Sequence, residues 1–369
     1  MVKVKDMLYA CAGNENICKV GECGGAVTAL LTYALESKMV DAVVAVTKGA
    51  DVYDGVPTVF TDPKEIIKSA GSLHCAPLAV GKFVVKYMNG AKDKKIALPV
   101  KPCDARAILV MAKRGKVNKD NLLMIGVNCG GTVRPMVGRE MIEKYYGVSP
   151  DDVIKEEIAK GKFIIVTKNH EHKEVSIDEL EEHGVGRRLN CQRCDVKIPT
   201  MADLACGNWG VIGPQAGKAT FVEVCSEKGA KLMDGAINAK AVTAQPADPK
   251  GVEARAKIND VMVKMGLKNQ KKQFAAAAGY DFWGAQFKKC IKCQGCTLNC
   301  PATFDLKLKA SAYEGKGDLP PSMNYHIARA AQIGGDCCNC GMCEDGCPVD
   351  IPLSLIYHEA AKRIGQEIK

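Results

Sequence analysis

Two stretches toward the C-terminal end repeat one cysteine pattern, and no other feature limits the possible structure as strongly. The first is Cys290-Ile-Lys-Cys293-Gln-Gly-Cys296-Thr-Leu-Asn-Cys300-Pro301, and the second is Cys337-Cys338-Asn-Cys340-Gly-Met-Cys343-Glu-Asp-Gly-Cys347-Pro348. Both contain C-x2-C-x2-C-x3-C-P, the spacing with which a chain holds [4Fe–4S] clusters. Three thiolates at this spacing wrap one cubane and leave one iron open. The fourth follows a turn stiffened by proline and points to the neighbouring cluster. The pattern predicts one cluster on Cys290, Cys293, Cys296 and Cys347. It predicts another on Cys337, Cys340, Cys343 and Cys300, with Cys338 spare. Zinc also takes C-x2-C, but two full runs, each ending in Cys-Pro, favour clusters.

Nineteen cysteines in 369 residues are too many for chance burial, and the chain is too long for a small disulfide-stapled scaffold. No apolar run reaches the roughly 18 residues of a membrane span, and the opening Met1-Val-Lys-Val-Lys-Asp6 leads into no signal-type apolar segment. A cytoplasmic protein is expected. The formal charge of +9 could suit nucleic acid, but no basic-aromatic interleaving accompanies it, so an anionic cofactor or acidic protein partner accounts for it as well.

The first part of the chain alternates helical and strand patterns. Val27–Glu36 has helical spacing, and Val40–Val46, Ile96–Val100, Leu122–Val127 and Phe163–Val166 read as strands. Arg139–Tyr146 is a charged helical stretch. The expectation is a mixed α/β or α+β body over residues 1–240 and a connecting segment over 241–284 with an amphipathic helix at Val252–Met265. A small cysteine-rich domain follows over 285–369, with helices near Tyr325–Ile333 and Pro352–Ile368. It looks like the helical dicluster ferredoxin type of succinate dehydrogenase-like iron–sulfur subunits.

Three stretches of the body stand out. Glu22-Cys-Gly24-Gly25-Ala-Val-Thr28 opens the first helix, where paired glycines let backbone amides approach an anion. Ser69-Ala-Gly71-Ser72-Leu-His-Cys75 and Ala202-Asp-Leu-Ala-Cys-Gly207-Asn-Trp-Gly210 are the others. No Rossmann fingerprint is present. Cys103 and Cys129 read by themselves as buried thiols, and Cys191-Gln-Arg-Cys194 as a zinc half-site or redox pair.

Taken in order with Lys101-Pro-Cys103-Asp104 and Gly126-Val-Asn-Cys129, these segments resemble the beta subunit of the coenzyme F420-reducing hydrogenase and its relatives. The resemblance covers about residues 20–215. It implies a body that binds FAD, reduces coenzyme F420 (a deazaflavin) and holds a third [4Fe–4S] cluster on Cys103, Cys129, Cys191 and Cys194. It implies FAD contacts at Gly24, Gly25, Thr28, Gly71, Ser72, Gly207 and Gly210, and a cationic patch for the acidic deazaflavin tail at Arg187 and Arg188, beside Arg193 and Lys197. Cys23, Cys75 and Cys206 are extra ligands or core thiols, the latter being favoured. Cys11, Cys18 and Cys23 fit no standard run, and Cys225 has no assigned role.

A deazaflavin passes electrons in pairs and iron–sulfur clusters pass them singly, so the flavin is the converter, and no acid–base constellation is required. Within the family, a ferredoxin-type domain after the flavin body is the arrangement of the formate-linked members. The implied electron source is a formate dehydrogenase alpha subunit with a molybdenum or tungsten pterin. Rival sources are a hydrogenase, a heterodisulfide reductase complex or a sulfite-reducing module. The rival from another class is a flavin-free electron-wiring subunit.

Overall fold

The structure, a computed structural model, describes residues 1–306 and 323–364. The apolar runs of the body become the centre of an eight-stranded sheet. In chain order the strands are β1 (Met7–Ala12), β2 (Ala42–Lys48), β3 (Gly55–Phe60), β4 (Ile96–Val100), β5 (Leu122–Val127), β6 (Val153–Ala159), β7 (Lys162–Thr167), β8 (His172–Ser176), β9 (Leu204–Gly207), β10 (Thr220–Val224) and β11 (Val242–Pro246). The large sheet has the order β11-β1-β10-β9-β5-β4-β2-β3. Its middle, β2-β4-β5-β9, is parallel, and the strands on either side run antiparallel.

Both faces of this middle are covered, which is why its strands are almost wholly apolar. Along β4 the side chains alternate. Ala97 joins the core under the helix Ala26–Glu36, with Leu30, Leu31 and Val43, while Ile96, Leu98 and Val100 join the opposite core with Ile108 and Met111 of the helix Pro102–Lys113. The remaining strands form the meander β6-β7-β8. It packs through Phe163 and Ile165 on the helix Pro135–Tyr146.

Two expectations need correction. The body does not stop at residue 240, because β11 lies beyond it and pairs with β1. The connecting segment is mostly one helix, Pro249–Ala276, longer than the Val252–Met265 read from the pattern. This helix lies against the body: Arg255 donates to the carbonyl of Ala205 at 3.2 Å, and Gln270 to that of Arg193 at 3.0 Å.

The cysteine-rich unit is built on short helices, including Met323–Ile333 and Leu353–Ile364. Phe287, Ile333, Ile351, Leu353 and Tyr357 form its core, and His326 stacks on Phe287 with ring centroids 4.0 Å apart. Of the expected closing helix, residues 365–368 lie outside the described residues. The unit is pinned to the body by polar groups. Asn190 Nδ2 donates to Asn339 O at 3.0 Å and Asn339 Nδ2 to Asn190 O at 2.9 Å. Arg134 Nε pairs with Asp345 at 2.8 Å, Arg193 Nη2 donates to Ser354 Oγ at 2.6 Å, and Lys362 pairs with Asp195. Among the described residues no helix is long and apolar enough to cross a membrane.

Candidate functional site

The two cysteine runs fold alike. The residues on either side of the second cysteine take positive φ in both: Lys292 (57°) and Gln294 (60°) around Cys293, Asn339 (53°) and Gly341 (75°) around Cys340. Alternation into the left-handed region turns successive backbone amides to one side, a concavity that suits an anionic centre. The repeat in sequence is therefore a repeat in backbone conformation.

The structure exchanges the fourth cysteines between the runs. Cys290, Cys293, Cys296 and Cys347 together line one small cavity, closed by Tyr325, His326, Ile351 and Leu353. In the other group, burial and the thiols of Cys340 and Cys300 push Cys337 up to about 12. Burial raises Cys343 too, followed by Cys340, Cys337 and Cys300. Burial likewise raises Cys300, followed by Cys340. Thr303 Oγ1 donates to Cys300 Sγ at 3.0 Å, and the amide of Ile351 to Cys347 Sγ at 3.5 Å.

A third group forms at the C-terminal edge of the parallel strands, the usual place for a site in such a sheet. Cys103 follows β4 in the first turn of its helix, and Cys129 follows β5. The Cys129 amide donates to Lys197 O at 3.0 Å, which draws in the loop that carries Cys191 and Cys194. Burial, then Cys191 and Cys194, push Cys129 up to about 11. Cys191 behaves differently. Burial pushes it up, but Arg188 and the hydrogen bonds from Thr132 more than offset this, and the thiol lies below its ordinary value. Cys103 is raised by burial and then Asp104, and it senses both Cys129 and Cys340, so the third group adjoins the second.

The thiol-rich composition of these three groups, their burial and the charge-stabilising donors around them fit iron–sulfur clusters. Among the described residues no three or more His, Cys, Asp or Glu side chains are arranged to hold a single metal ion; a cubane is wider and takes its four thiolates on four separate irons.

Two of the glycine-bearing segments touch the chain around Cys129, through His74 and Gly207, and the segment of Gly24 and Gly25 is held by β10 and β6. Val133 N donates to His74 O at 2.9 Å, Thr220 Oγ1 donates to Cys23 O at 2.8 Å, and Lys155 pairs with Glu22 at 3.1 Å. Gly24 and Gly25 have positive φ, and a Cβ on Gly24 would lie 2.2 Å from Lys218 O. They open the helix Ala26–Glu36, whose N-terminus has no side-chain cap, and Thr28 is buried in its first turn. Gly71, with φ +99°, faces open space beside exposed Ser72. Gly207 and Gly210 are crowded by their own chain, Gly207 by Asn128 and Gly210 by Gly251 O.

Arg187 and Arg188 depart from the expected surface patch. Both are 8% exposed. Arg187 pairs with Glu181 at 2.6 Å and donates to Gly130 O at 3.1 Å, and Arg188 pairs with Asp345. Arg193 and Lys197 are buried as well. Guanidiniums with internal partners are poorly placed to receive a tail from solvent. The spare cysteines divide similarly: Cys75 and Cys206 are core residues, and burial pushes Cys206 up to about 12. Cys23 is pushed up to about 11 by burial and Glu22, Cys11 is raised by burial and Cys18, and Cys225 is pushed up to about 12 by burial and Glu223.

One buried group escaped the sequence reading. Glu156 of β6 is fully buried and accepts the amides of His74 and Cys75, each at 2.6 Å. Burial pushes its carboxyl up to about 7. A lone Glu in Lys155-Glu156-Glu157 gives no sequence signal, since a charge run is usually a solvated face.

Comparison with known proteins agrees with this arrangement. Residues 7–84 match the N-terminal region, and residues 93–250 the C-terminal region, of the family described as coenzyme F420 hydrogenase/dehydrogenase, beta subunit. Residues 286–351 match the 4Fe-4S dicluster domain. The F420-dependent formate dehydrogenase subunit beta of Methanocaldococcus jannaschii is 49% identical over 96% of this chain and 92% of its own length. The F420-dependent formate dehydrogenase 1 subunit beta of Methanococcus maripaludis is 48% identical over 98% and 94%. The coenzyme F420 hydrogenase subunit beta of Methanococcus voltae is 27% identical over 73% and 92%. A chain of the F420-reducing [NiFe] hydrogenase complex from Methanosarcina barkeri has the same body fold, with a TM-score of 0.63 at 19% identity over 76% of this chain and 95% of that one.

Proposed function

Because the chain belongs to the coenzyme F420 hydrogenase/dehydrogenase beta-subunit family, we propose that it is the electron-transfer and F420-reducing subunit of a cytoplasmic formate dehydrogenase. Formate, oxidised to carbon dioxide on an alpha subunit with a molybdenum or tungsten pterin, releases two electrons and a proton. Coenzyme F420 takes up the two electrons, that proton and a second proton from solvent, and the reaction is reversible. When bound, FAD supplies the exchange between paired and single electrons. The observation that carries this reading is the set of three four-cysteine groups ending beside the glycine segments of the body.

In this reading the protein's own residues bind, orient and insulate. Cys290, Cys293, Cys296 and Cys347 form the outer site, Cys300, Cys337, Cys340 and Cys343 the inner site, and Cys103, Cys129, Cys191 and Cys194 the body site. Gly24, Gly25, Thr28, Gly71, Ser72, Gly207 and Gly210 would line a bound flavin, and the free amides at the start of the helix Ala26–Glu36 would be available to its phosphates. Arg187 and Arg188 supply fixed positive charge beside the body site rather than a clamp for the deazaflavin tail. A heterodisulfide reductase complex is a further partner for the same electron path.

The test is composition together with turnover. The anaerobically purified chain should carry about twelve irons in three cubanes and one FAD, and should reduce F420 with formate when joined to its alpha subunit. Cys129→Ser should lower iron to about eight. Cys347→Ser should remove the site of the first run while the second run keeps its own. An unsubstituted chain with about eight irons, or with no flavin, defeats the reading.

A further inference from the structure

Two buried arginines occupy the two places where the cysteine groups meet, and each reaches a thiol through a threonine. At the junction of body and inner sites, Arg188 Nε donates to Thr132 Oγ1 at 3.1 Å, and Thr132 Oγ1 lies 3.6 Å from Cys191 Sγ. The same guanidinium comes within 3.9 Å of Cys191 Sγ and donates to Cys340 O at 2.8 Å. One cation thus touches a residue of each site. It is paired with Asp345 within the same junction.

At the junction of inner and outer sites the arrangement recurs. Arg329, fully buried in the helix Met323–Ile333, donates through Nη2 to Thr303 Oγ1 at 3.0 Å, and Thr303 Oγ1 donates to Cys300 Sγ of the inner site at 3.0 Å. The helix that carries Arg329 also closes the cavity of the outer site, through Tyr325 and His326. The two arginine–threonine–thiol chains come from unrelated segments, so the repeated cysteine run did not produce the likeness.

Burying a guanidinium is costly unless it is paired and hydrogen-bonded. Domain docking explains part of Arg188, through Asp345, but not Arg329, which lies inside the cysteine-rich unit and among the described residues forms no ion pair with Asp or Glu. We propose that Arg188–Thr132 and Arg329–Thr303 are matched cationic bridges that set the electron affinity of the two sites flanking each junction. The inference deepens the proposed function and rests on its three clusters. As one electron crosses a junction, one site is oxidised by one electron and its neighbour reduced by one. No bond changes and no proton moves. A fixed positive charge between them favours the reduced state of both.

The test is an EPR-monitored redox titration of the iron-loaded full chain. Arg188→Gln should lower the potentials of the body and inner sites and leave the outer site unmoved. Arg329→Gln should lower the inner and outer sites and leave the body site unmoved. Arg188→Lys and Arg329→Lys, which keep the charge, should restore most of each shift. Potentials equal to those of the unsubstituted chain, or an equal fall at all three sites, overturn the inference. If Arg329→Gln fails to hold iron, Thr303→Val should lower the potential of the inner site instead, and an unmoved potential overturns the inference. If Arg188→Gln fails, Asp345→Asn decides. Removing this negative charge should raise the body and inner potentials, and unmoved potentials there overturn the inference. An unsubstituted chain short of about twelve irons would instead sink the function proposed above, so the two failures are distinguishable.

Discussion

Glu156 shows how much a single residue can contribute without a sequence signal. It holds the segment of Gly71 and Ser72 through two amides, and it faces Cys75, His74, Tyr53 and Asp51. Burial is the first cause that pushes its carboxyl from 4.5 to about 7. The unfolded chain loses this proton near 4.5 and the folded chain near 7, so the folded state binds more protons in between and stability falls as pH rises through that window. Glu156→Gln keeps the acceptor and removes the charge. Its unfolding temperature should exceed that of the unsubstituted chain at pH 8 and approach it at pH 5, as scanning calorimetry would read. A lower value at pH 8 would mean that the carboxylate is the form the fold needs. At this scale the cysteines of the two runs were legible in the sequence because their spacing is a local property of the chain. Arg188 was legible only as a basic residue, since its partner Asp345 lies far along the chain.

At the scale of elements, three of the four parallel strands, β2, β4 and β5, were readable because both of their faces are buried and their apolar runs are nearly continuous. Strands β1, β3, β6 and β8 to β11 were not read as strands. β3, β6, β8 and β11 have exposed or mixed faces that carry little pattern, β9 and β10 are short runs of four and five residues, and pairing partners define them: β11, with burial confined to Val242, is a strand because β1 lies beside it. The helix Pro249–Ala276 was underestimated for a related reason, since few of its residues are buried. Its seat on the body is narrow and sharp. A Cβ on Gly251 would lie 2.0 Å from Tyr9 Oη and 2.3 Å from Gly210 O. Gly251→Ala should therefore cost about 1–3 kcal/mol through overpacking and break the Tyr9–Gly210 hydrogen bond of 2.7 Å. Chemical denaturation gives the energy. If Gly210 borders the flavin, the FAD content of the same variant should fall too.

Over the whole molecule, the attachment of the cysteine-rich unit is polar and spread over several segments. Arg134 reaches Asp345 at 2.8 Å, Asp350 at 3.6 Å and Glu344 at 3.7 Å. A charge-assisted bond of this kind contributes about 1.5–3 kcal/mol, and a loss near the lower end is about tenfold in the population of an undocked state. Arg134→Ala should release a C-terminal fragment roughly tenfold faster in limited proteolysis, with the iron content of the body site unchanged. Unaltered cleavage would place the attachment in the Asn190–Asn339 pair and in Arg193 instead. Undocking separates the inner site from the body site, so formate-dependent F420 reduction should fall with it.

By itself the sequence showed two four-cysteine runs of ferredoxin spacing, because that spacing is written within a dozen consecutive residues; which fourth cysteine faces which run depends on the fold. It also showed the apolar runs of β2, β4 and β5, because burial on both faces leaves such a run, but not their parallel order or β9 beside them. Only the tertiary structure decided that Cys103, Cys129, Cys191 and Cys194 meet at one strand edge, that Arg187 and Arg188 turn inward, and that an arginine and a threonine stand at each junction. These residues come from segments far apart in the chain, and the charge or hydrogen bond that gives each its role exists only once the sheet and the docked unit bring them within reach.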